Sequence, residues 1–160
     1  MVPDRPDGME STEPVLRVPR PEDLDAIVRI DEAWTGEPRP TYLGSRLGRT
    51  QHGAGIDLSR VAERDGEVVG YLFGEVTRGE FGRVFPVAWV DTIGVRKDQV
   101  RGGVGSALLQ EFMRHARAAG ARRVWTLLEP EAGGLADFLQ AHGFHVAKAK
   151  LVEQVLDGGS

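Results

Sequence analysis

The chain has no cysteine in its 160 residues. Disulfides, thiolate nucleophiles and Cys-based zinc sites are therefore excluded, and a reducing compartment is compatible with the composition. It also lacks a basic excess: Lys and Arg total 20 against 24 Asp and Glu, for a net charge of -4. A chain of that sign has no field with which to hold nucleic acid. No run reaches the roughly 18 apolar residues of a membrane span, and no charged-then-apolar signal pattern opens the chain, so a cytoplasmic location without membrane association is expected. The four histidines, at positions 52, 115, 142 and 145, show no H-E-x-x-H spacing, and no metal site is expected. Aromatic residues are few. Trp34, Trp89 and Trp125 fall at core-like positions and read as packing residues rather than stacking platforms.

Glycine is abundant, and its placement is the informative feature. Residues 95–109, V-R-K-D-Q-V-R-G-G-V-G-S-A-L-L, join an expected strand to an expected helix through Gly102, Gly103 and Gly105. Glycine lets the backbone turn tightly and approach a ligand, so such a loop can aim consecutive amides at one anion, with the positive end of the following helix behind it. The spacing matches neither the dinucleotide fingerprint G-x-G-x-x-G near the start of a βαβ unit nor the Walker loop G-x-x-x-x-G-K-[ST].

Elsewhere the pattern is that of one mixed α/β domain at 15–156, between a leader (1–14) and a tail (157–160). The leader holds three Pro and four acids and need not pack. Residues 15–18 suit a short strand. Pro21 opens a helix with Leu24, Ile27, Val28 and Trp34 at helical spacing, ended by Thr35-Gly36. Residues 41–47 suit a second helix and 51–55 a loop. Asp65-Gly66 between 59–64 and 67–77 is a hairpin signal, because these residues tolerate the positive φ of a type I′ turn, and Gly70 and Gly74 mark bends or close approaches. Further strands are expected at 87–95, 123–128 and 150–156. Further helices are expected at 104–119, capped by Gly120, and at 134–142.

This order, and the loop G-x-G-S-A-L-L after the strand 89–95, resemble the GNAT superfamily of N-acetyltransferases. The family pattern is [QR]-x-x-G-x-[GA] at the end of its fourth strand. With Gly103 and Gly105 in register, the leading position is Val100. R-P-E-D-L-D-A-I near the start and Gly143-Phe144 near the end are similar to the family's first helix and usual ending. The resemblance covers about residues 15–156. It implies a GNAT-like acyl-CoA N-acyltransferase fold, a mixed α+β architecture with a central, mostly antiparallel sheet flanked by helices. It also implies acetyl-CoA as cosubstrate. The main chain at Ile93, Gly94 and Val95 would take the pantetheine and acetyl group, and Arg101, Gly102, Gly103, Val104, Gly105 and Ser106 the pyrophosphate. A solvated loop position serves equally well for Arg101.

Direct transfer to an amine needs a group to take the amine's proton, since the reference pKa of such an amine is about 10.4. Asp91 is the first candidate base. Period-2 alternation puts it on one face with Ile93 and Val95, and family members often carry an acid on this strand. Glu80 is the second candidate. A structural ion pair is the competing role for Asp91. The family's usual Asn and Tyr before Gly-Phe correspond to Ala132 and Leu139, which cannot donate a side-chain proton. Tyr42 could substitute only if its loop covers the site; His142 reads as a surface residue. Glu37, Arg39, Tyr42 and Arg46 are candidate acceptor-binding residues, the two arginines suggesting an acidic group on the acceptor or simply a solvated helix face. The acceptor is expected to be a small-molecule or protein amine, with a noncatalytic acyl-CoA-binding or regulatory module as the alternative. Exposed edge strands are compatible with a homodimer.

Overall fold

The Asp65-Gly66 turn organises the sheet. In the computed structural model, which describes residues 13–49 and 55–156, both turn residues have positive φ, 54° and 78°. They join β3 (Arg60–Arg64) to β4 (Glu67–Thr77). Types I′ and II′ match the twist of paired strands, which is why this dipeptide closes the hairpin. On its other edge β4 pairs antiparallel with β5 (Val87–Val95). Outside β3 lies β1 (Val15–Arg17), antiparallel, and outside β5 lies β6 (Arg123–Thr126), parallel. The sequence pattern did not signal β2 (Ile56–Asp57), which is too short to show a period. It pairs with β4 at Val76 and Glu75, beyond the end of β3. Between β2 and β3, Leu58 donates to the Gly74 carbonyl and the Gly74 amide donates to Ser59 Oγ at 3.1 Å, so the ladder is bridged where the strand breaks.

Helices cover the two faces of this sheet. On one face α1 (Leu24–Thr35) and α2 (Pro40–Arg49) bury Ile27, Ile30, Leu43 and Leu47 against Val61, Tyr71 and Phe73. The second helix is longer at both ends than the sequence pattern indicated. Gly36, at φ 85°, caps α1 and returns its amide to Glu32. On the other face α3 (Val104–Ala118) buries Val104, Leu108, Leu109, Phe112 and Ala116. Close approach here depends on two glycines of β4. A Cβ at Gly70 would stand 2.7 Å from Val104 Cγ1, and one at Gly74 would stand 2.5 Å from the Phe112 ring. Each large side chain so buried contributes about 1.5–3 kcal/mol.

The chain enters α1 through one tight turn, Pro21–Asp23. Asp23 is buried there. It accepts the Arg20 amide at 2.7 Å and both terminal nitrogens of Arg17 at 2.8 and 2.9 Å, while Arg17 Nε donates to Glu63 on β3 at 2.7 Å. The Arg17 hydrogen bond holds the Asp23 carboxyl below its ordinary value. A depressed carboxylate stabilises the fold above its unfolded pKa and loses that contribution as pH falls through the folded value. Asp23→Asn should therefore lower stability by about 1–3 kcal/mol at neutral pH. Thermal melts taken down to about pH 3 should show the gap from the parent protein narrowing; a gap independent of pH would remove the ion pair from the account.

Two compact units divide the chain, Met1–Leu127 and Leu128–Ser160. The strands and first three helices belong to the first. In the second, α4 (Gly134–Ala141) is followed by a turn in which Gly143 has φ 87° and the Phe144 amide returns to Leu139. Residues 150–156, expected as a last strand, are irregular and exposed, and β6 stops at Thr126 rather than at 128. A strand persists only where a neighbour pairs its backbone groups. Among the described residues no such pairing forms at 150–156.

Candidate active site

The two strands β5 and β6 run side by side only from Val87↔Arg123 to Val90↔Thr126. Beyond this, β5 continues five residues without β6. Its register against β4 decides which backbone groups are offered there. The Arg96 amide donates to the Val69 carbonyl, so Gly70 and Val95 form a non-hydrogen-bonded pair in the antiparallel ladder. By alternation Leu72 and Ile93 form another. The N–H and C=O groups of Ile93 and the N–H of Val95 therefore point away from β4, along the edge that β6 has left, whereas the Val95 C=O accepts the Trp34 indole N–H and the groups of Gly94 bond to β4. A Cβ on Gly94 would stand 2.6 Å from the Tyr71 ring.

This edge leads to the glycine-rich loop. After a single turn at Lys97–Gln99, the Gly102 amide closes onto Gln99 O at 3.0 Å and is not offered to a ligand. Gly103, at φ 77°, is the N-cap of α3, and the first helical bond runs from Ala107 to Gly103 O. Helix geometry leaves the first-turn amides, among them those of Gly103, Val104 and Gly105, with no carbonyl one turn behind, an arrangement that could cradle an anion. Arg101 is exposed beside it. Ser106 stands in the first turn. Arg64 braces the loop from beneath: buried at the end of β3, it donates to Gln99 Oε1 and, at 3.2 Å, to Gly102 O. That explains Gly102, since a Cβ there would stand 2.8 Å from Arg64 Nη1.

Asp91 is placed by a bulge. Phe73 pairs with Thr92 but Gly74 pairs with Val90, so Asp91 is an extra residue. The bulge turns Asp91 and Thr92 to one face, that of α1 and α2, where Thr92 Oγ1 lies 3.3 Å from Tyr71 Oη. Ile93 and Val95 stand opposite Leu72 and Gly70, on the α3 face. The expectation that Asp91 shares their face is thus corrected: simple alternation fails across the inserted residue. The Asp91 carboxylate lies 3.3 Å from Arg46 Nη1 and lines a small cavity with Arg46, Arg49, Asp57 and Glu75. Burial pushes its pKa up, Arg46 draws it down and Glu75 raises it again. Glu80 begins a short turn, Glu80–Gly82, and its side chain lies outside the described residues.

Arg39 and Arg46 prove to be partnered. Arg39 donates through Nε and Nη2 to the two oxygens of Asp31 at 2.8 and 2.7 Å, and Asp31 also accepts Tyr71 Oη at 2.9 Å. Tyr42 lies between the two guanidiniums, with its ring 4.9 Å from Arg39 and 5.5 Å from Arg46. Both arginines are thus engaged by acids of the chain, which removes the reason to expect an acidic acceptor. Glu37 is exposed at the turn after α1, apart from this row. Near the cavity Trp89 stands opposite Glu75 on β4 and Trp125 on β6. The two indoles meet edge to face at 5.2 Å, and Arg83 covers the Trp125 ring. Trp34 is not a core residue either: it is 54% exposed in the last turn of α1, with its indole N–H donating to Val95 O at 2.8 Å.

The Acetyltransferase (GNAT) family model matches residues 24–144. The chain belongs to the GNAT acetyltransferase family. Solved structures share the fold of this GNAT protein at low identity. A transcriptional regulator from Bacillus halodurans is 16% identical, with a TM-score of 0.75 over 89% of this chain and 99% of that one. Aminoglycoside N-acetyltransferase AAC(6')-Iy in complex with CoA is 16% identical, with a TM-score of 0.71 over 89% and 94%. An aminoglycoside acetyltransferase from an uncultured soil metagenomic sample, in complex with sisomicin, is 19% identical, with a TM-score of 0.63 over 92% and 95%. No curated protein sequence matches the chain.

The open edge and the amide cradle of this GNAT protein fit an acyl-CoA. Amides of a pantetheine arm can pair with the Ile93 and Val95 main chain, and a pyrophosphate suits the first-turn amides of α3. Among the described residues no helix is long and apolar enough to cross a membrane, and no group of three His, Asp or Glu could hold a metal ion. The sequence reading missed Asp31 and Arg64. Asp31 was detectable in principle, as an acid four residues after Ile27 in the buried stripe of α1; Arg64 carried no local signal.

Proposed function

We propose that this protein transfers an acetyl group from acetyl-CoA to the primary amine of a small organic cation, by direct transfer within a ternary complex. The observation that carries this reading is the unpaired strand edge at Ile93 and the Val95 amide, followed in the chain by the first-turn amides of α3 at Gly103, Val104 and Gly105. Bound there, acetyl-CoA supplies an activated thioester carbonyl. On this reading the Ile93 amide polarises that carbonyl as charge develops on its oxygen. Asp91 takes the proton from the acceptor's ammonium, its raised pKa making it a better base near neutral pH, and the neutral amine so formed attacks the thioester carbon and displaces the thiolate. With Leu139 at the usual Tyr position, solvent protonates the departing thiolate. Glu75, Asp57 and Asp91 with the Trp89 and Trp125 pair suit an organic cation, and neighbours of this fold are aminoglycoside acetyltransferases. The alternative, a noncatalytic acyl-CoA-binding module, is favoured by Ala132 and Leu139.

Calorimetry with acetyl-CoA tests the cofactor site. Gly103 has open space around its Cβ position but a positive φ, so Gly103→Ala should fold with a strain cost of about 1 kcal/mol and keep binding. Gly103→Glu puts a carboxylate at the cradle and should weaken binding at least about a hundredfold. Equal affinity in both variants would show that the pyrophosphate is held elsewhere.

A further inference from the structure

The cradle before α3 begins at a peptide that could face either way. Gly102 and Gly103 share one peptide unit, and in a trans peptide the C=O of the first residue and the N–H of the second point in opposite directions. With glycine on both sides no Cβ opposes a half-turn of that unit, which would give Gly103 a negative φ in place of 77° and turn its amide inward. A side chain 38 residues earlier fixes the choice. Arg64, 9% exposed at the end of β3, donates through Nη2 to the Gly102 carbonyl at 3.2 Å and through Nη1 to Gln99 Oε1. These acceptors stand at the two ends of one tight turn, closed by the Gly102 amide on the Gln99 carbonyl at 3.0 Å. Drawn towards Arg64, the Gly102 carbonyl leaves the Gly103 amide facing the other way, on the side where a Gly103 Cβ would meet nothing within 4 Å. The Arg64 end of the hairpin is itself fixed to the start of the loop, where the Arg96 amide donates to Val69 O at 2.8 Å.

We propose that Arg64 is a positioning residue for the acyl-CoA diphosphate, acting through the loop by setting the direction of the Gly103 amide. The role rests on the acyl-CoA reading of this site. A planar guanidinium suits it, because its fork grips the Gln99 side chain and the Gly102 carbonyl at once, whereas a lysine brings a single nitrogen. The strength of the effect follows from the population of the outward peptide. A loop that keeps the Gly103 amide outward in only about a tenth of molecules binds its anion about tenfold more weakly.

The test uses the full chain and acetyl-CoA. In calorimetry Arg64→Met should raise Kd about tenfold or more, and Arg64→Lys should give an intermediate loss. Gly102 is not in the left-handed region, so Gly102→Ala leaves the backbone unstrained; its Cβ would stand 2.8 Å from Arg64 Nη1 and should weaken binding in the same direction. Adding Gly102→Ala to Arg64→Met should cost little more, because both act on one contact. Amide NMR separates positioning from a general loss of structure. On addition of acetyl-CoA the Gly103 and Ile93 resonances should both shift in the parent, whereas in Arg64→Met only the Ile93 shift should survive. If Arg64→Met fails to fold, Gln99→Ala removes one of the two grips and should show the same selective loss at Gly103, at smaller size. Affinity within about twofold of the parent in Arg64→Met, or loss of both shifts together, overturns the role of Arg64 while the parent still binds acetyl-CoA. A parent that binds no acetyl-CoA overturns the acyl-CoA reading itself, and this role with it.

Discussion

Asp91→Asn is expected to lower kcat by about a hundred- to ten-thousand-fold with the cognate amine, while acetyl-CoA binding measured by calorimetry stays within about twofold of the parent. The amide keeps the shape of the carboxylate and cannot accept a proton. The pH profile gives the sharper reading. Burial raises the Asp91 pKa, so kcat/KM of the parent should fall as pH drops through a value above the usual carboxylate range, because the base is then protonated. Arg46, 3.3 Å away, opposes that shift. Arg46→Ala should move the acid limb to higher pH and leave turnover intact at alkaline pH. A profile whose acid limb does not move in Arg46→Ala would take proton removal away from Asp91. An Asn variant with full turnover would leave only the structural ion pair.

Asp31→Ala is expected to cost about 1–3 kcal/mol of stability in denaturant unfolding, less than for a fully buried ion pair because the Arg39 side chain is 40% exposed. Asp31 is 3% exposed and accepts both Arg39 nitrogens and the Tyr71 hydroxyl. Its loss leaves the buried Tyr71 hydroxyl with Thr92 Oγ1 alone, while the half-exposed Arg39 guanidinium turns to water. Burial already holds the Tyr71 pKa well above its ordinary value, so the phenol stays a donor through the working pH range. Against a typical total of about 5–15 kcal/mol, the loss is a substantial fraction of the stability. Tyr71→Phe removes a single hydrogen bond and should cost about 1 kcal/mol. Equal small costs for both variants would mean that water replaces the carboxylate, and that this network does not hold α1 and the turn after it to the sheet.

These two acids show where the sequence was legible. The hairpin at Asp65-Gly66, the helix α3 and its glycine N-cap follow from local chemistry: positive φ at the turn, a 3.6-residue apolar period, and a strand feeding a helix. They were readable because each lies within a few residues of its cause. Asp91 was assigned to the right strand but to the wrong face, because a bulge depends on the register of β4 against β5 and has no local signature. Asp31 and Arg64 act across 40 and 35 residues, on Tyr71 and Gln99. Trp34 was taken for a core residue because an aromatic at helical spacing is usually buried; it instead binds a carbonyl 61 residues away. The segment 150–156 failed for a different reason: its apolar residues come in adjacent pairs, Leu151-Val152 and Val155-Leu156, rather than in alternation, and among the described residues no strand pairs with it.

The single extra residue in β5 lets one strand speak in two directions at adjacent positions. At Asp91 it addresses whatever lies over the sheet through a side chain, and at Ile93 it addresses whatever lies along its rim through the backbone. An amine descending from above and a thioester stretched along the rim would then meet nearly at right angles, each with its own way in and out. On the proposed reading neither molecule blocks the other's path, so the order in which they arrive is set by concentration and affinity rather than by the architecture.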